Sequence, residues 1–517
     1  MSHLRRVAAT LAATAVALSP SLLGSAGADT PSQLPHQDPF YSYSGSTPLA
    51  QVPAGTVLDQ RAVTLTSGAA AEQLLYRTQD QQGHPSVTVT TVINPAGATN
   101  GIVGYLSYYD ALGDQCDPSY TLQGGGSGPG SEALVINKLV SEGYAVTVPD
   151  FEGEDLHWVA GSESGWSTLD AVRASESYLH TLGDGAGTAT KVGLIGYSGG
   201  SIAGEWASEL APAYAPELNL VGAAIGGIPV DLAHNLRYID GSKTWSGVIP
   251  AALVSLSRAF GVSFAPYESA YGKQVTQQVS GECIGSFNGA YPGLHLADLL
   301  KSQYRDFLHI PTVADVLNQL IMGTAPGTPQ IPMMMEVGNA DGVGDGVMVT
   351  KDVEALAHEY CTAGMKVHLK EDIGADHTAA GSSFFLQGGI SYLLGLMAGA
   401  PAQDDCATIP AGNDLSPIVA TAGPWGRFTI HPALHARSHG GYDVLVVHAH
   451  RAVGATVKVF RLHHGHQTKV GHGLIDKHGK VTIKVADHNG SAKTRYRAEV
   501  AATATTLAAT TRVVKQR

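Results

Sequence analysis

Between about residues 62 and 410, the hydrophobic positions of the chain alternate between two spacings. Short apolar runs rich in β-branched residues predict buried strands: "VTVTTVINPA", "GIVGYLSYYDAL", "YAVTVPD", "LVGAAIGGIPV", "IPMMMEVG" and "KVHLKEDI". Between them lie segments whose apolar residues repeat every three or four positions, as in "GWSTLDAVRASESYLHTL" and "KDVEALAHEYCTAG". This order predicts an α/β fold, with a largely parallel sheet covered by helices on both faces.

Two further segments are predicted to be helical. In "SEALVINKLVSEG" we expect Leu134, Ile136, Leu139 and Val140 to form the apolar side, and Gly143 to end the helix. Near the end of the α/β region, "FFLQGGISYLLGLMAG" is also expected to form a helix.

Residues 231–325 depart from this alternation. They contain "IPAALVSLSRAFG", with Leu253, Leu256 and Phe260 at helical spacing, followed by further helical segments. An insertion of this length after the strand "LVGAAIGGIPV" is typical of a helical cap, although an ordinary structural subdomain is the alternative. We therefore predict a helical cap or lid at 231–325, within an α/β domain that spans 29–410.

The C-terminal part of the chain follows a different pattern. "GYDVLVVHAH", "ATVKVFRLHH" and "TRYRAEVAA" are short alternating segments, which predict a small, sandwich-like all-β domain over 416–517. This tail holds 15 of the 31 Lys and Arg residues but only four of the 44 Asp and Glu residues, together with 11 of the 22 histidines. The charge break predicts a domain boundary near Ala411–Pro417. The positive excess suits an anionic surface or wall polymer, and a stabilising appendage is the alternative.

The N-terminal residues predict export. Arg5 and Arg6 precede the apolar run Val7–Leu18, and Ala26–Ala28 supplies an A-x-A cleavage site, so we expect residues 1–28 to be a signal peptide. No later stretch reaches about 18 uninterrupted apolar residues, so no transmembrane segment is expected. The predicted location is extracellular.

Cysteine usage agrees with an oxidising compartment. Four cysteines predict two disulfides, and their spacing leaves three pairings open: Cys116, Cys283, Cys361 and Cys406. No C-x-x-C or H-E-x-x-H pattern indicates a metal, and we expect no metal, no cofactor and no nucleic-acid partner.

A candidate nucleophile lies in "KVGLIGYSGGSIAGEWASEL". Ser198 stands between Gly196 and Gly200, where a predicted strand meets a predicted helix. The G-x-S-x-G match is weak alone, because about half an occurrence is expected by chance in so glycine-rich a chain. The flanking elements add weight, because a strand-to-helix turn of this kind exposes its central side chain and leaves no room for β-carbons at the two glycines. A packing loop is the alternative.

A serine nucleophile needs a histidine base and an acid that orients it, and in the α/β-hydrolases, whose nucleophile turn this segment resembles, the chain order is serine, acid, histidine. His358 falls inside a predicted helix and His368 inside a predicted strand, whereas His377 follows a strand and is favoured as the base. Asp341 and Asp345 both lie in the loop after "IPMMMEVG". Position favours neither acid, and we expect the other to cap backbone amides of the turn.

Longer motifs make a family resemblance specific. The chain resembles the secretory lipases, the lipase-A-like group of α/β-hydrolases, over about residues 60–410 and not in the basic tail. The motifs that carry the resemblance are "GYSGG" at 196–200, "YAPELNLVGA" at 214–223, "GGIPV" at 226–230, "CDPSY" at 116–120 and "DFEG" at 150–153.

The resemblance implies which acid is catalytic. The family aspartate precedes a helix that ends in a cysteine 16 residues further on, which matches Asp345 and Cys361. Asp341 is the runner-up. Val349 replaces the usual proline of the family, which is a departure from the pattern.

The resemblance also implies the remaining site residues. The family histidine follows an acidic residue at the start of a helix, which matches His377 in "ADH". The oxyanion hole would combine the amides of Gly199 and Asp110, with a solvated loop acid as the alternative for Asp110. The family pairs its cysteines in order, which implies Cys116–Cys283 and Cys361–Cys406.

These implications define an expected function. The chain would be a secreted carboxylic ester hydrolase, in particular a triacylglycerol lipase that acts at an oil–water interface through an acyl-enzyme. A short-chain esterase, or a hydrolase of polyesters or wall esters with the tail as a binding module, is the alternative. A non-catalytic binding protein with a hydrolase fold is a second alternative.

Overall fold

The computed structural model describes residues 31–324, 328–421, 430–463, 466–487, 493–503 and 506–516. The predicted signal peptide lies outside these residues. Among them, no helix combines the length and the apolar character that crossing a bilayer requires.

A nine-stranded mixed sheet forms the centre of the larger region, in the order β1-β2-β3-β5-β4-β6-β7-β8-β9. The strands are β1 Val57–Thr64, β2 Ala70–Gln79, β3 Pro85–Ile93, β4 Ile102–Leu106, β5 Ala145–Pro149, β6 Lys191–Tyr197, β7 Asn219–Gly226, β8 Met333–Asn339 and β9 Val367–Ile373. The first three strands pair antiparallel, and β4 to β9 form a parallel block. The predicted parallel sheet is confirmed for this block.

Helices cover both faces of this sheet. Before β7 they are α1 Pro118–Thr121, α2 Glu132–Ser141, α3 Gly161–Thr181 and α4 Gly199–Tyr214. Three more helices follow β8 and are described below. Successive residues of β6 show the two layers, because Leu194 belongs to the apolar cluster that contains residues of α3 and α4, whereas Ile195 belongs to the cluster that contains residues of α2. Because both faces of these strands are buried, their sequences are continuous apolar runs and do not alternate between polar and apolar residues.

The insertion between β7 and β8 is built from helices. They are α5 Leu232–Tyr238, α6 Val248–Phe260, α7 Ala270–Val279, α8 Ile284–Phe287, α9 Leu296–Leu299 and α10 Pro311–Asn318. Leu253 and Leu256 are buried on α6 and Phe260 is half-buried, as the helical spacing predicts. After β8 the chain forms α11 Thr350–Thr362, α12 His377–Ser383 and α13 Gly389–Met397.

Two of the helix predictions need correction. Leu134 is 72% exposed, because it lies about 200° around α2 from the buried Ile136 and cannot share its side. The predicted helix at "FFLQGGISYLLGLMAG" is interrupted by a π-helical turn at Phe384–Gly388, which separates α12 from α13.

Short 3₁₀ turns connect several elements. They lie at Pro35–Gln37, Pro39–Tyr41, Leu49–Gln51, Asp114–Cys116, Ser302–Tyr304, Phe307–His309 and His450–Ala452. Two disulfides join distant segments, Cys116 to Cys283 and Cys361 to Cys406, which is the pairing that the family resemblance implies. The first ties the insertion to the loop that follows β4.

The C-terminal region is a separate all-β unit of two antiparallel sheets. Its strands are β10 Ala433–His439, β11 Tyr442–His448, β12 Thr456–His463, β13 His466–Leu474, β14 Lys480–Ala486, β15 Thr494–Val500, β16 Ala509–Thr510 and β17 Val514–Gln516. One sheet has the order β10-β11-β14, and the other has the order β13-β12-β15-β16 with β17 also paired to β15. Leu445, Val459 and Tyr496 are among the side chains that fill the space between the sheets.

Candidate active site

Loops that follow five parallel strands meet at one edge of the larger sheet. Asp110 follows β4, Ser198 follows β6, Asp345 follows β8 and His377 follows β9, while the insertion at 231–325 begins after β7. Because the carboxyl ends of parallel strands share an edge, residues that are distant in sequence converge there.

Ser198 occupies a strained turn between β6 and α4. Its φ of 56° and ψ of −120° lie outside the regions that non-glycine residues usually adopt. A β-carbon on Gly196 would lie 2.3 Å from the carbonyl oxygen of Gly200, and one on Gly200 would lie 2.0 Å from that of Leu106. The predicted role of both glycines is therefore confirmed, because any larger residue would force the turn apart.

His377 lies between Ser198 and Asp345. Its Nε2 is 2.8 Å from Ser198 Oγ, and its Nδ1 is 2.7 Å from Asp345 Oδ2. The histidine is the first residue of α12, whose N-terminus is capped by Asp376 through a 2.9 Å bond from a backbone amide. Tyr197 donates its hydroxyl to the His377 carbonyl at 2.7 Å. These bonds fix the ring at a point where one nitrogen contacts the serine and the other the acid.

The two candidate acids have different surroundings. Asp345 is fully buried, and its Oδ1 accepts the amides of Val347 and Met348 at 3.0 and 2.7 Å, which leaves Oδ2 for His377. The carboxylate of Asp341 accepts the Tyr238 hydroxyl at 2.9 Å and two amides of its own loop. Asp341 is therefore the turn-capping residue, and the structure places Asp345 beside the histidine.

The other candidate histidines point elsewhere. His358 Nδ1 lies 3.3 Å from the Ile409 carbonyl oxygen, and His368 Nδ1 lies 2.6 Å from Asp405 Oδ2. Within the described ranges, no group of three or more His, Cys, Asp or Glu side chains is arranged to hold a metal ion.

Asp110 is buried against the Ser198 turn. It has a φ of 36°, and a β-carbon on Gly199 would lie 1.9 Å from its Oδ1. The same oxygen accepts Trp158 Nε1 at 2.8 Å, and the residue is only 4% exposed. The alternative of a solvated loop acid is therefore wrong. Burial raises the pKa of Asp110 to about 7, against the opposing effects of the Trp158 hydrogen bond and of His377.

Two buried glutamates hold the loop that carries Asp110, and the sequence patterns did not single them out. Glu132 accepts the Tyr108 amide at 3.2 Å, and Glu152 accepts the Ala111 amide at 3.0 Å. Burial raises the pKa of Glu132 to about 7 and that of Glu152 well above its usual range. Glu152 belongs to the "DFEG" motif, so the resemblance was the available signal for it.

An apolar cavity opens from Ser198, Gly199 and Asp110 toward the insertion. Its volume is about 610 Å³, which includes space open to solvent. Its other lining residues are Trp158, Val159, Ile202, Pro229, Leu232, Asn235, Leu236, Ile239, Trp245, Val248, Ala252, Leu256, Ile284, Val347 and Met348. Half of the lining comes from the insertion, which therefore covers the serine.

Aromatic rings surround the histidine. The Trp245 ring lies 5.3 Å from that of His377 at an interplanar angle of 87°, and the Tyr197 ring lies 5.0 Å from it. Tyr197 belongs to the "GYSGG" motif, whereas no local pattern distinguishes Trp245 within the insertion. Its position depends on how the insertion folds back over the sheet.

The strand order and the turn at Ser198 define the fold as that of an α/β-hydrolase. The model of one family, described as secretory lipase, matches residues 124–387. The chain is 34% identical to a probable inactive lipase of Mycobacterium tuberculosis, over 67% of this chain and 79% of that protein. The chain belongs to the secretory lipase family.

Two further proteins are similar to the chain over most of its α/β region. A secreted triacylglycerol lipase of Malassezia globosa is 33% identical, over 65% of this chain and 75% of that protein. The X-ray structure of Candida antarctica lipase A matches with a TM-score of 0.65 and 27% identity, covering 75% of this chain and 92% of that one. Membership of this family supports the assignment of the chain as an ester hydrolase. One relative carries the name of an inactive lipase, so the activity of this chain depends on its own site.

Proposed function

We propose that the chain is a secreted carboxylic ester hydrolase, in particular a triacylglycerol lipase, with Ser198 as nucleophile, His377 as base and Asp345 as the residue that orients the base. The observation that carries this proposal is the continuous hydrogen-bonded line from Ser198 Oγ through the imidazole to Asp345 Oδ2. A serine hydroxyl is a weak nucleophile until a positioned base removes its proton.

The reaction is a two-step acyl transfer. His377 takes the proton of Ser198 as its oxygen attacks the ester carbonyl, and then gives this proton to the leaving alcohol. Water then attacks the acyl-enzyme and gives a proton to His377, which passes it to the Ser198 oxygen as the acyl–oxygen bond breaks and the acid is released. Asp345 holds the ring throughout and stabilises the imidazolium that forms.

The oxyanion would bind to the backbone amides of Gly199 and Asp110. Gly199 is the first residue of α4, where backbone amides have no partner within the helix and the helix dipole favours negative charge. Two fixed donors of this kind contribute several kcal/mol to the stability of a transition state. An ionised Asp110 side chain would repel the oxyanion, and its pKa of about 7 leaves a substantial fraction of this carboxyl neutral near pH 7.

The cavity favours long acyl chains. Its walls are mostly apolar, and its polar lining is limited to the turn at Ser198, Asp110 and Asn235. An alkyl chain bound there leaves water at a gain of about 0.8 kcal/mol per methylene, so affinity rises with chain length. Half of the lining belongs to the insertion, so a movement of the insertion would change access to Ser198, as the movement of a lid does.

The proposal includes secretion. The predicted signal peptide supports it, as do several relatives that are named as secreted lipases and the two disulfides. The name of the mycobacterial relative favours a non-catalytic alternative. Against it stands the intact line of hydrogen bonds between the serine, the histidine and the acid.

Hydrolysis of p-nitrophenyl esters with acyl chains of increasing length tests this function. We expect Ser198→Ala to abolish hydrolysis, and the wild type to prefer long chains. The matched control is Ser208→Ala in the same helix, whose hydroxyl donates to the Gly204 carbonyl at 2.7 Å and which lies outside the cavity lining. Full activity in Ser198→Ala would refute the proposal, and activity limited to short chains would make the protein an esterase.

A further inference from the structure

One outer face of the C-terminal unit carries an ordered set of basic side chains. Val457 and Val459 of β12 fill the core, so the alternate residues Lys458, Phe460 and Leu462 face outward. Residues paired across antiparallel strands lie on the same side of a sheet. Three paired rows therefore form this face: His472–Lys458–Glu499, Lys469–Phe460–Arg497 and Gln467–Leu462–Arg495–Lys515. We call it the basic face.

The charges of the basic face are largely uncompensated. Lys458, Lys469, Arg495 and Lys515 are exposed. In the described part of the chain, none of these four forms an ion pair. The only carboxylate in the three rows, Glu499, is 3.3 Å from Arg497. A surface of this kind attracts anions and holds them by exchange for small counterions.

The spacing of the strands sets the spacing of the cations. Neighbouring strands lie about 4.8 Å apart, and alternate residues along a strand lie about 6.8 Å apart, so the cations form a twisted grid, which a shift in the pairing of β12 with β13 between Val459 and Phe460 interrupts. Lysine and arginine end groups on such a grid reach successive anionic groups of an extended chain without a shaped pocket. The acidic remainder of the protein, with an excess of 24 negative charges, repels such a ligand, which therefore binds at the tail.

We propose that the basic face binds a linear polymer that carries phosphate or sulfate groups at repeated intervals, and that it anchors the enzyme to such a polymer outside the cell. A lipid surface fits less well. Proteins that insert into lipid present exposed apolar side chains, whereas Phe460 and Leu462 are only half-exposed between the flanking cations. The exposed Leu474 pairs with Thr456, beyond the three rows.

Binding of the full-length protein to fluorescently labelled long-chain polyphosphate tests the proposal without reference to catalysis. We expect the triple variant Lys458→Glu, Arg495→Glu, Lys515→Glu to bind at least about tenfold more weakly at low salt, and wild-type affinity to fall steeply as salt rises. Circular dichroism reports whether the variant folds, and the corresponding Gln variant provides a milder substitution if it does not.

The opposite sheet offers a matched control. Arg437, Lys480 and Lys484 are exposed on the outer face of β10, β11 and β14, and their replacement by Glu changes the net charge by the same amount. We expect this control to lose less than about threefold in affinity. Equal losses in the two variants would show that net charge alone matters and would overturn the proposal. Tighter binding of the wild type to vesicles of phosphatidylcholine and phosphatidylglycerol than to polyphosphate would overturn the choice of a polymer.

Discussion

The two regions of this protein place their functional groups in opposite ways. In the α/β region the candidate chemistry is buried, and four non-glycine residues there have positive φ: Asp110, Leu156, Val159 and Ser198. In the described part of the C-terminal unit no non-glycine residue does, and its charged groups lie on regular, exposed strands. Strained backbone persists only where the surroundings fix it, so it marks a site that needs exact geometry.

The difference also concerns charge. Around Ser198 the ionisable groups are buried, and burial raises the pKa of Asp110 and of Glu132 to about 7. On the basic face the cations are solvated, and each contributes little on its own. The first region suits a reaction on one bound molecule, and the second suits many weak contacts with an extended partner.

The largest expected effect concerns the buried Asp345, compared first with the exposed Asp341 of the same loop. Asp345→Asn would lower kcat by about 10³- to 10⁴-fold, because the amide cannot hold the imidazole in the tautomer that accepts the serine proton. Asp341→Asn would change kcat by less than about tenfold. Steady-state hydrolysis of a soluble p-nitrophenyl ester measures both.

The tail supplies a second control for this prediction. Asp443 is as buried as Asp345 and accepts the Tyr496 hydroxyl at 2.7 Å. Asp443→Asn is expected to lower the stability of the tail and to leave kcat unchanged. If Asp341→Asn proved as damaging as Asp345→Asn, the assignment of the acid would be wrong.

A smaller effect concerns the glycines. Gly200→Ala would bring a β-carbon against the Leu106 carbonyl oxygen, and we expect a loss of at least about 3 kcal/mol in the free energy of unfolding. A β-carbon on Gly440 in the tail would meet no atom within 4 Å, so Gly440→Ala should change the free energy of unfolding by less than about 1 kcal/mol. Urea unfolding compares the two, and equal losses would contradict the contrast in packing.

A further expected effect is graded with pH. Because the pKa of Asp110 is raised to about 7, the folded protein binds its proton more tightly than the unfolded chain does. This residue's contribution to stability is therefore complete below about pH 4 and is lost as the pH rises toward 7, by about 1.4 kcal/mol per pH unit. We expect Asp110→Asn to gain stability relative to the wild type over this range. If the free energies of unfolding of the wild type and of Asp110→Asn changed with pH in the same way, the raised pKa of the buried Asp110 carboxyl would be contradicted.

Local sequence patterns were sufficient for several parts of this structure. The strand and helix order, the turn at Ser198 and the need for its two glycines follow from neighbouring residues, because each depends on short-range geometry. The predicted elements also favoured His377 over His358 and His368, because only His377 lies in a loop after a predicted strand. The mistaken inclusion of Leu134 shows the limit of counting apolar residues without their angular positions.

Other features depend on contacts between distant segments. Asp341 and Asp345 share one loop, and only the amides of Val347 and Met348 and the position of α12 decide which of them meets the histidine. The contact of Trp245 with that ring depends on how the insertion folds back. The alternation of polar and apolar residues predicted strands in the tail. The pairing of β15 with β17, which places Lys515 beside Arg495, could not be predicted from local patterns.

The central claim is that Ser198 is a nucleophile activated by His377 and Asp345. Incubation of the full-length protein with a p-nitrophenyl alkylphosphonate, followed by mass spectrometry of its peptides, tests this claim most directly. The account predicts one phosphonyl group per chain, attached to Ser198 in the wild type, much slower attachment in Asp345→Asn and none in Ser198→Ala. An unlabelled wild type, or a label on another residue, would contradict it.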